Sequence, residues 1–287
     1  MKEKLTPFLA FLIILFSMPL GHAAMILMEH YLSDSALILG AFLLGLAGAV
    51  ITVVGGLINK EKENLPTTLG FIGALFLWTG WIEFGYVYFA KRYNVAPLIV
   101  NGEVATKPEY LLLMSSIGFL AIIMMYYIFN VKSRCSFFNW IQRVFKIRNV
   151  QTNNFEKRRN FSMITFMETN IILWACYLLL MFAYDDKILG EYHPVTIIIA
   201  FGSLIWAIFL FRNLLKIKRL GAAIRYAIPT VIIFWNFVEI LGRWGLFEEI
   251  WVNPLKYKFE MLGIAIACII PIIYFLTHKN NNNKLTN

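Results

Sequence analysis

Charged side chains are scarce in this chain, at 15% of 287 residues, where a soluble domain carries about 25%. So little charge beside 59% hydrophobic residues fits neither a water-soluble globular enzyme nor a disordered tail. Cysteine is nearly absent. The three residues, Cys135, Cys176 and Cys268, lie in a basic loop and in two apolar runs, so no disulfide framework follows. Histidine numbers four, too few for a membrane oxygenase that holds two irons on many imidazoles. No Gly-x-Ser-x-Gly elbow, HExxH, P-loop or zinc-spaced Cys/His cluster occurs.

What is present is apolar length. Crossing the roughly 30 Å hydrocarbon core takes about 20 mostly apolar residues, and eight runs are long enough: Thr6–His30, Ser35–Ile58, Thr68–Ala90, Tyr110–Val131, Phe161–Tyr184, Pro194–Leu215, Tyr226–Phe247 and Phe259–Thr277. They are continuous and lack the alternation of a membrane barrel. The expected fold class is an all-α integral membrane protein with eight transmembrane helices. The first run follows Lys2 and Lys4 and passes Gly21-His22-Ala23-Ala24, which imitates a secretory signal. It continues apolar to Met28, longer than a signal core of about 7–15 residues, and is read as an uncleaved helix.

Lys and Arg are retained in cytoplasmic loops, and here 19 of the 26 fall on one side: the N-terminus, the segments at 59–67, 132–160 and 212–225, and the tail. Acids such as Asp34, Asp185, Asp186, Glu248 and Glu249 collect on the other. The expected location is the cytoplasmic (inner) membrane, multi-pass, with both termini cytoplasmic. Topology therefore accounts for the net charge of +9, and no nucleic-acid partner is expected. In the loop 132–160, Phe137, Phe138, Ile141, Val144 and Phe145 recur at helical spacing against Asn139, Gln142, Arg143 and Lys146. This pattern predicts an amphipathic helix on membrane lipids, with docking of a protein partner as the other reading.

The halves resemble each other. Glu83 is followed by Pro97-Leu98 and Glu109, and Glu239 by Pro254-Leu255 and Glu260, with 14 and 15 residues from the first Glu to Pro. Aromatics precede both: Phe76, Trp78 and Trp81, then Phe234, Trp235 and Phe237. The expected organisation is a four-helix half at 1–131, the basic loop at 132–160, a second four-helix half at 161–277 and a frayed tail at 278–287. Four spans per half make the copies parallel pseudo-repeats.

An ionisable group at the centre of a span costs about 2.5–3.5 kcal/mol on insertion scales and is by default a functional candidate. The candidates for a ligand or proton site are Glu83, Glu239, Arg243, His22, Glu29 and Glu168. Glu239 and Arg243 stand at i and i+4, the geometry of an intrahelical ion pair. Met18, His22, Met25 and Glu29 fall on one face of the first helix; thioether and imidazole suit copper, whereas packing and an interhelical hydrogen bond are the plainer explanation. Trp78 and Trp235 lie deeper than an interfacial belt requires. The leading expectation is binding or transport of a small ligand or cation, with proton coupling as one form of it. A membrane-embedded enzyme acting on a lipid-like substrate, with Glu83 and His22 as acid and base, is the second reading. A non-catalytic subunit or assembly factor is the third.

Overall fold

The computed structural model describes residues 2–58, 63–100, 103–129, 142–146 and 160–284. Helix α1 is Lys2–Tyr31 and α2 is Asp34–Leu57. The third span is composite: α3, Asn64–Leu77, a π-helical turn, Trp78–Glu83, and α4, Phe84–Arg92. Next come α5, Pro108–Met114, with proline in the first turn where its missing N–H costs nothing, and α6, Ile117–Phe129. The remaining helices are α7, Phe161–Tyr184, α8, Pro194–Leu214, α9, Leu220–Arg243, and α10, Lys258–Lys284.

Among the described residues seven helices, with Asn64–Arg92 counted as one, are long and apolar enough to cross a membrane, and eight if the bent pair α5 and α6 is one span. That pair meets at 44°. Its cause is local: the hydroxyls of Ser115 and Ser116 donate to the carbonyls of Leu112 and Leu113 at 2.6 Å each, taking acceptors that the helix ladder would otherwise use. Between α4 and α5 the chain forms one antiparallel hairpin, β1, Leu98–Val100, with β2, Glu103–Thr106. It lies outside the apolar runs and is the one departure from helix among the described elements.

Contacts divide the chain into two compact units, Met1–Ala41 with Pro194–Asn287, and Phe42–His193. In the first, α1 lies against α9 and α10, and α8 against α9. In the second, α7 lies against α3, α5 and α6. Each unit thus takes one long helix from the other half of the sequence: α1 joins the last three long helices, and α7 joins those of the segment 42–129.

Close backbone approach holds the second unit. A Cβ on Gly48 would stand 2.6 Å from the carbonyl oxygen of Gly73 and 2.7 Å from the amide nitrogen of Leu77. Ser162 donates to the carbonyl of Thr52 at 2.8 Å, joining α7 to α2. Other buried hydroxyls turn back on their own helix, Thr52 to Gly48 and Thr169 to Thr165, which satisfies these donors within the span.

Of the basic loop, residues 142–146 are described; Phe137, Phe138, Asn139, Ile141 and Cys135 lie outside the described residues. Gln142, expected on a solvated face, is buried. Its Nε2 donates to the carbonyls of Tyr127 and Ile128 at 3.2 and 2.8 Å, satisfying acceptors at the end of α6 that have no partner within the helix. Val144 and Phe145 are exposed.

Candidate functional site

Each unit holds a glutamate within an apolar span, Glu83 buried and Glu239 half-buried, and a tryptophan indole on the same span meets it. In the second unit the acid is Glu83, the last residue of the π-helical turn and only 4% exposed. Trp78 Nε1 donates to Glu83 Oε1 at 2.9 Å across five residues. An α-helix aligns residues four apart; the extra residue of a π turn moves that alignment to five, so the local fold creates this contact. Tyr177 on α7 supplies a second side-chain hydrogen bond. The Trp78 and Tyr177 rings are 5.5 Å apart, and Tyr110 lies 6.2 Å from Tyr177. Glu109 and Lys107, at the start of α5, both act on Glu83 electrostatically.

Trp81, three residues beyond Trp78, turns the other way. Its Nε1 donates to the Phe42 carbonyl at 3.1 Å and its ring covers Gly45, where only a residue without Cβ leaves room. Trp174 anchors the bend between α5 and α6, donating to Ser116 Oγ at 2.7 Å. Below this lies an apolar cluster of Leu113, Leu120, Ile171 and Leu178.

In the first unit the acid is Glu239 on α9. Trp235 Nε1 donates to its Oε1 at 2.7 Å across four residues, the α-helical spacing. The loop after α9 folds back so that the Glu249 carboxylate rests on Gly242, and Glu249 acts on Glu239 electrostatically. Burial pushes the Glu249 carboxyl up from its ordinary range, and the Arg243 guanidinium pulls against it. The ring of Trp251 packs against Trp235, centroids 5.1 Å apart, in a cluster with Ala23 of α1 and Met261 of α10.

The structure therefore sorts the residues singled out from the sequence. Glu239, Arg243, His22, Glu29, Met18 and Met25 belong to the first unit, and Glu83 and Glu168 to the second. Arg243 and Glu239 share α9 as expected, and the electrostatic partner identified for Arg243 is Glu249. His22, Met18 and Met25 are half-buried on α1, Glu29 is exposed near its end, and Glu168 is half-buried on α7. Among the described residues no group of three or more His, Cys, Asp and Glu is placed to hold a metal; the copper idea rests on the Met/His stripe of α1 alone. Cys176 and Cys268 are free thiols.

Sequence reasoning did not assign Tyr177, Glu249 or Trp251 to a site, and singled out Trp78 and Trp235 for their depth without reading them as donors. The Trp235–Glu239 spacing carried the signal in plain form. Trp78 and Glu83 share no face of an α-helix, and only the π turn brings them together. No family model, no curated protein and no solved structure matches this chain.

Proposed function

We propose that the protein takes up and releases a small cation, the proton being the simplest, at two carboxyls set within apolar spans, and carries it across a cytoplasmic-type membrane. One observation carries this reading: each compact unit holds a glutamate within an apolar span, Glu83 buried and Glu239 half-buried, and meets it with an indole N–H about one turn earlier. An acid in that position is costly and by default functional. The donors orient the carboxylate without filling it, since an ionised carboxylate offers about four acceptor sites and Trp78 and Tyr177 use two at Glu83.

In this reading Glu83 and Glu239 are the acceptors and Arg243 balances charge beside Glu249. His22, Glu29 and Glu168 are further stations on α1 and α7. Sorting of Lys and Arg sets both termini on the cytoplasmic side, and the segment around Val144 and Phe145 rests on lipid.

The test is proton flux into liposomes holding the full chain and a trapped pH-sensitive dye. The wild-type chain is expected to dissipate an imposed pH gradient at least ~10-fold faster than protein-free liposomes, and Glu83→Gln and Glu239→Gln to remove most of that excess. Circular dichroism checks that each variant is folded. Folded Gln variants with wild-type flux would sink the reading.

A further inference from the structure

Two adjacent acids follow α9, and the fold treats them differently. Glu248 forms an exposed ion pair with Lys256 at 3.1 Å, with both side chains well over half exposed. Glu249 is half-buried and turned inward, its carboxylate seated on Gly242, three residues beyond Glu239 on the same helix. It is the charged group that acts on Glu239. A third group belongs to the same cluster. Trp251 is 7% exposed, and its Nε1 has no hydrogen-bond partner among the described residues, although its ring packs on the Trp235 indole that holds Glu239.

A buried donor without a protein acceptor is costly. This donor stands two residues from Glu249, on a ring packed against the indole that donates to Glu239; an ordered water satisfies such a donor and itself needs two to four polar partners. We propose that Glu249 is the residue through which Glu239 exchanges protons with the aqueous side, a water molecule held on the Trp251 indole completing the link. This rests on the reading of Glu239 as a titrating carboxyl and adds its route of supply. Solvent protonates the Glu249 carboxylate. The proton passes to the water, which releases another of its protons to the Glu239 carboxylate. Glu249 regains its negative charge and Glu239 becomes neutral, so one proton has moved and only O–H bonds have changed.

The other ionisable groups on the elements packed around this cluster include His22, Glu29, His30 and Tyr31 on α1, Lys258, Glu260, Cys268 and Tyr274 on α10, and Arg225, Tyr226 and Arg243 on α9 itself. On α8 the charged residue is Arg212, in the last turn. Of these, Arg243 is the one that acts on Glu249, and it favours the ionised form between transfers.

The experiment is time-resolved infrared spectroscopy of the reconstituted full chain after a pH jump. The protonated-carboxyl band of Glu239 is identified by its loss in Glu239→Gln. Glu249→Gln is expected to slow the response of that band at least ~10-fold, while Glu248→Gln leaves it unchanged. Gly242→Ala is the second variant: the new methyl displaces the end of a flexible side chain, not backbone, so it is expected to slow the band in a chain that still folds. A Glu239 band that titrates at the wild-type rate in Glu249→Gln and Gly242→Ala overturns this inference alone. A wild-type chain in which no Glu239 band titrates overturns the functional reading and this inference with it.

Discussion

Trp78 donates to Glu83 across five residues of a π-helical turn, and Trp235 donates to Glu239 across four residues of an α-helix. The same pair is built twice, and one extra residue in the third span is absorbed by a change of helix type. A π turn is typically a local one-residue excess inside an α-helix, and such turns are frequent at functional sites.

Deletion of Thr79 is therefore expected to convert the third span to continuous α-helix, with the tryptophan and glutamate at the i, i+4 spacing that Trp235 and Glu239 already use. Residues on both sides of the turn keep their faces, so the variant should fold and melt within a few degrees of the wild type in detergent. Deletion of Ala74, fully buried inside α3, has no excess residue to remove and rotates everything beyond it. That variant should fail to give a cooperative melt. Equal melting of the two deletions would contradict the role given to the π turn.

The apolar helices, seven long enough to cross a membrane and eight with the bent pair, were legible because each apolar run is continuous and bounded by charge. The partners of each helix were not. A helix that is apolar all round has no stripe to show which neighbour it faces, so nothing in hydropathy told that α1 packs on α9 and α10, or α7 on α3. The hairpin had a signal that went unread in the sequence: the dipeptide Asn101-Gly102 follows Ile99-Val100 and precedes Glu103-Val104, and Asn-Gly between short strand-forming stretches is a strong sequence mark of a hairpin. Glu249 was hidden for another reason. Beside Glu248 in an acidic loop it looked like part of the topology pattern, and only the fold of that loop onto Gly242 separates the two.

The pH dependence of stability follows from Glu249, whose carboxyl is raised above its ordinary value chiefly by burial. A carboxyl that binds its proton more tightly when folded stabilises the fold while protonated. Its contribution is complete below the unfolded value of about 4.3 and is lost as pH rises through the folded value. Melting temperature in detergent should fall with rising pH over that interval, and Glu249→Gln should flatten this component. A wild-type slope retained in full by Glu249→Gln would assign it to other groups.

Two glycines separate packing from electrostatics. At Gly48 a methyl would meet backbone, the Gly73 carbonyl and the Leu77 amide, which cannot move without parting α2 from α3. Overpacking of this kind costs about 1–3 kcal/mol, so Gly48→Ala should lower the melting midpoint clearly. At Gly242 the methyl meets the Glu249 side chain, which swings away, so Gly242→Ala should leave the midpoint nearly unchanged. The pair is checked by denaturation in detergent, and a larger loss at Gly242 than at Gly48 would refute the assignment.

The bend between α5 and α6 rests on two serines whose burial differs, which makes them a controlled pair. Ser116 is buried and does two things: it donates to the Leu113 carbonyl and accepts the Trp174 indole N–H at 2.7 Å. Ser116→Ala removes that acceptor and leaves a partly buried indole donor unsatisfied, for about 1–3 kcal/mol. Ser115 is exposed and donates only to the Leu112 carbonyl, so Ser115→Ala should cost well under half as much. Because α7 carries both Trp174 and Tyr177, loosening the Ser116–Trp174 contact should also shift the hydrogen bond from Tyr177 to Glu83. The expected signature of Ser116→Ala is a lowered melting midpoint together with a displaced Glu83 carboxyl band in the infrared. A lowered midpoint with an unmoved band would show that the bend stabilises the second unit without positioning its glutamate.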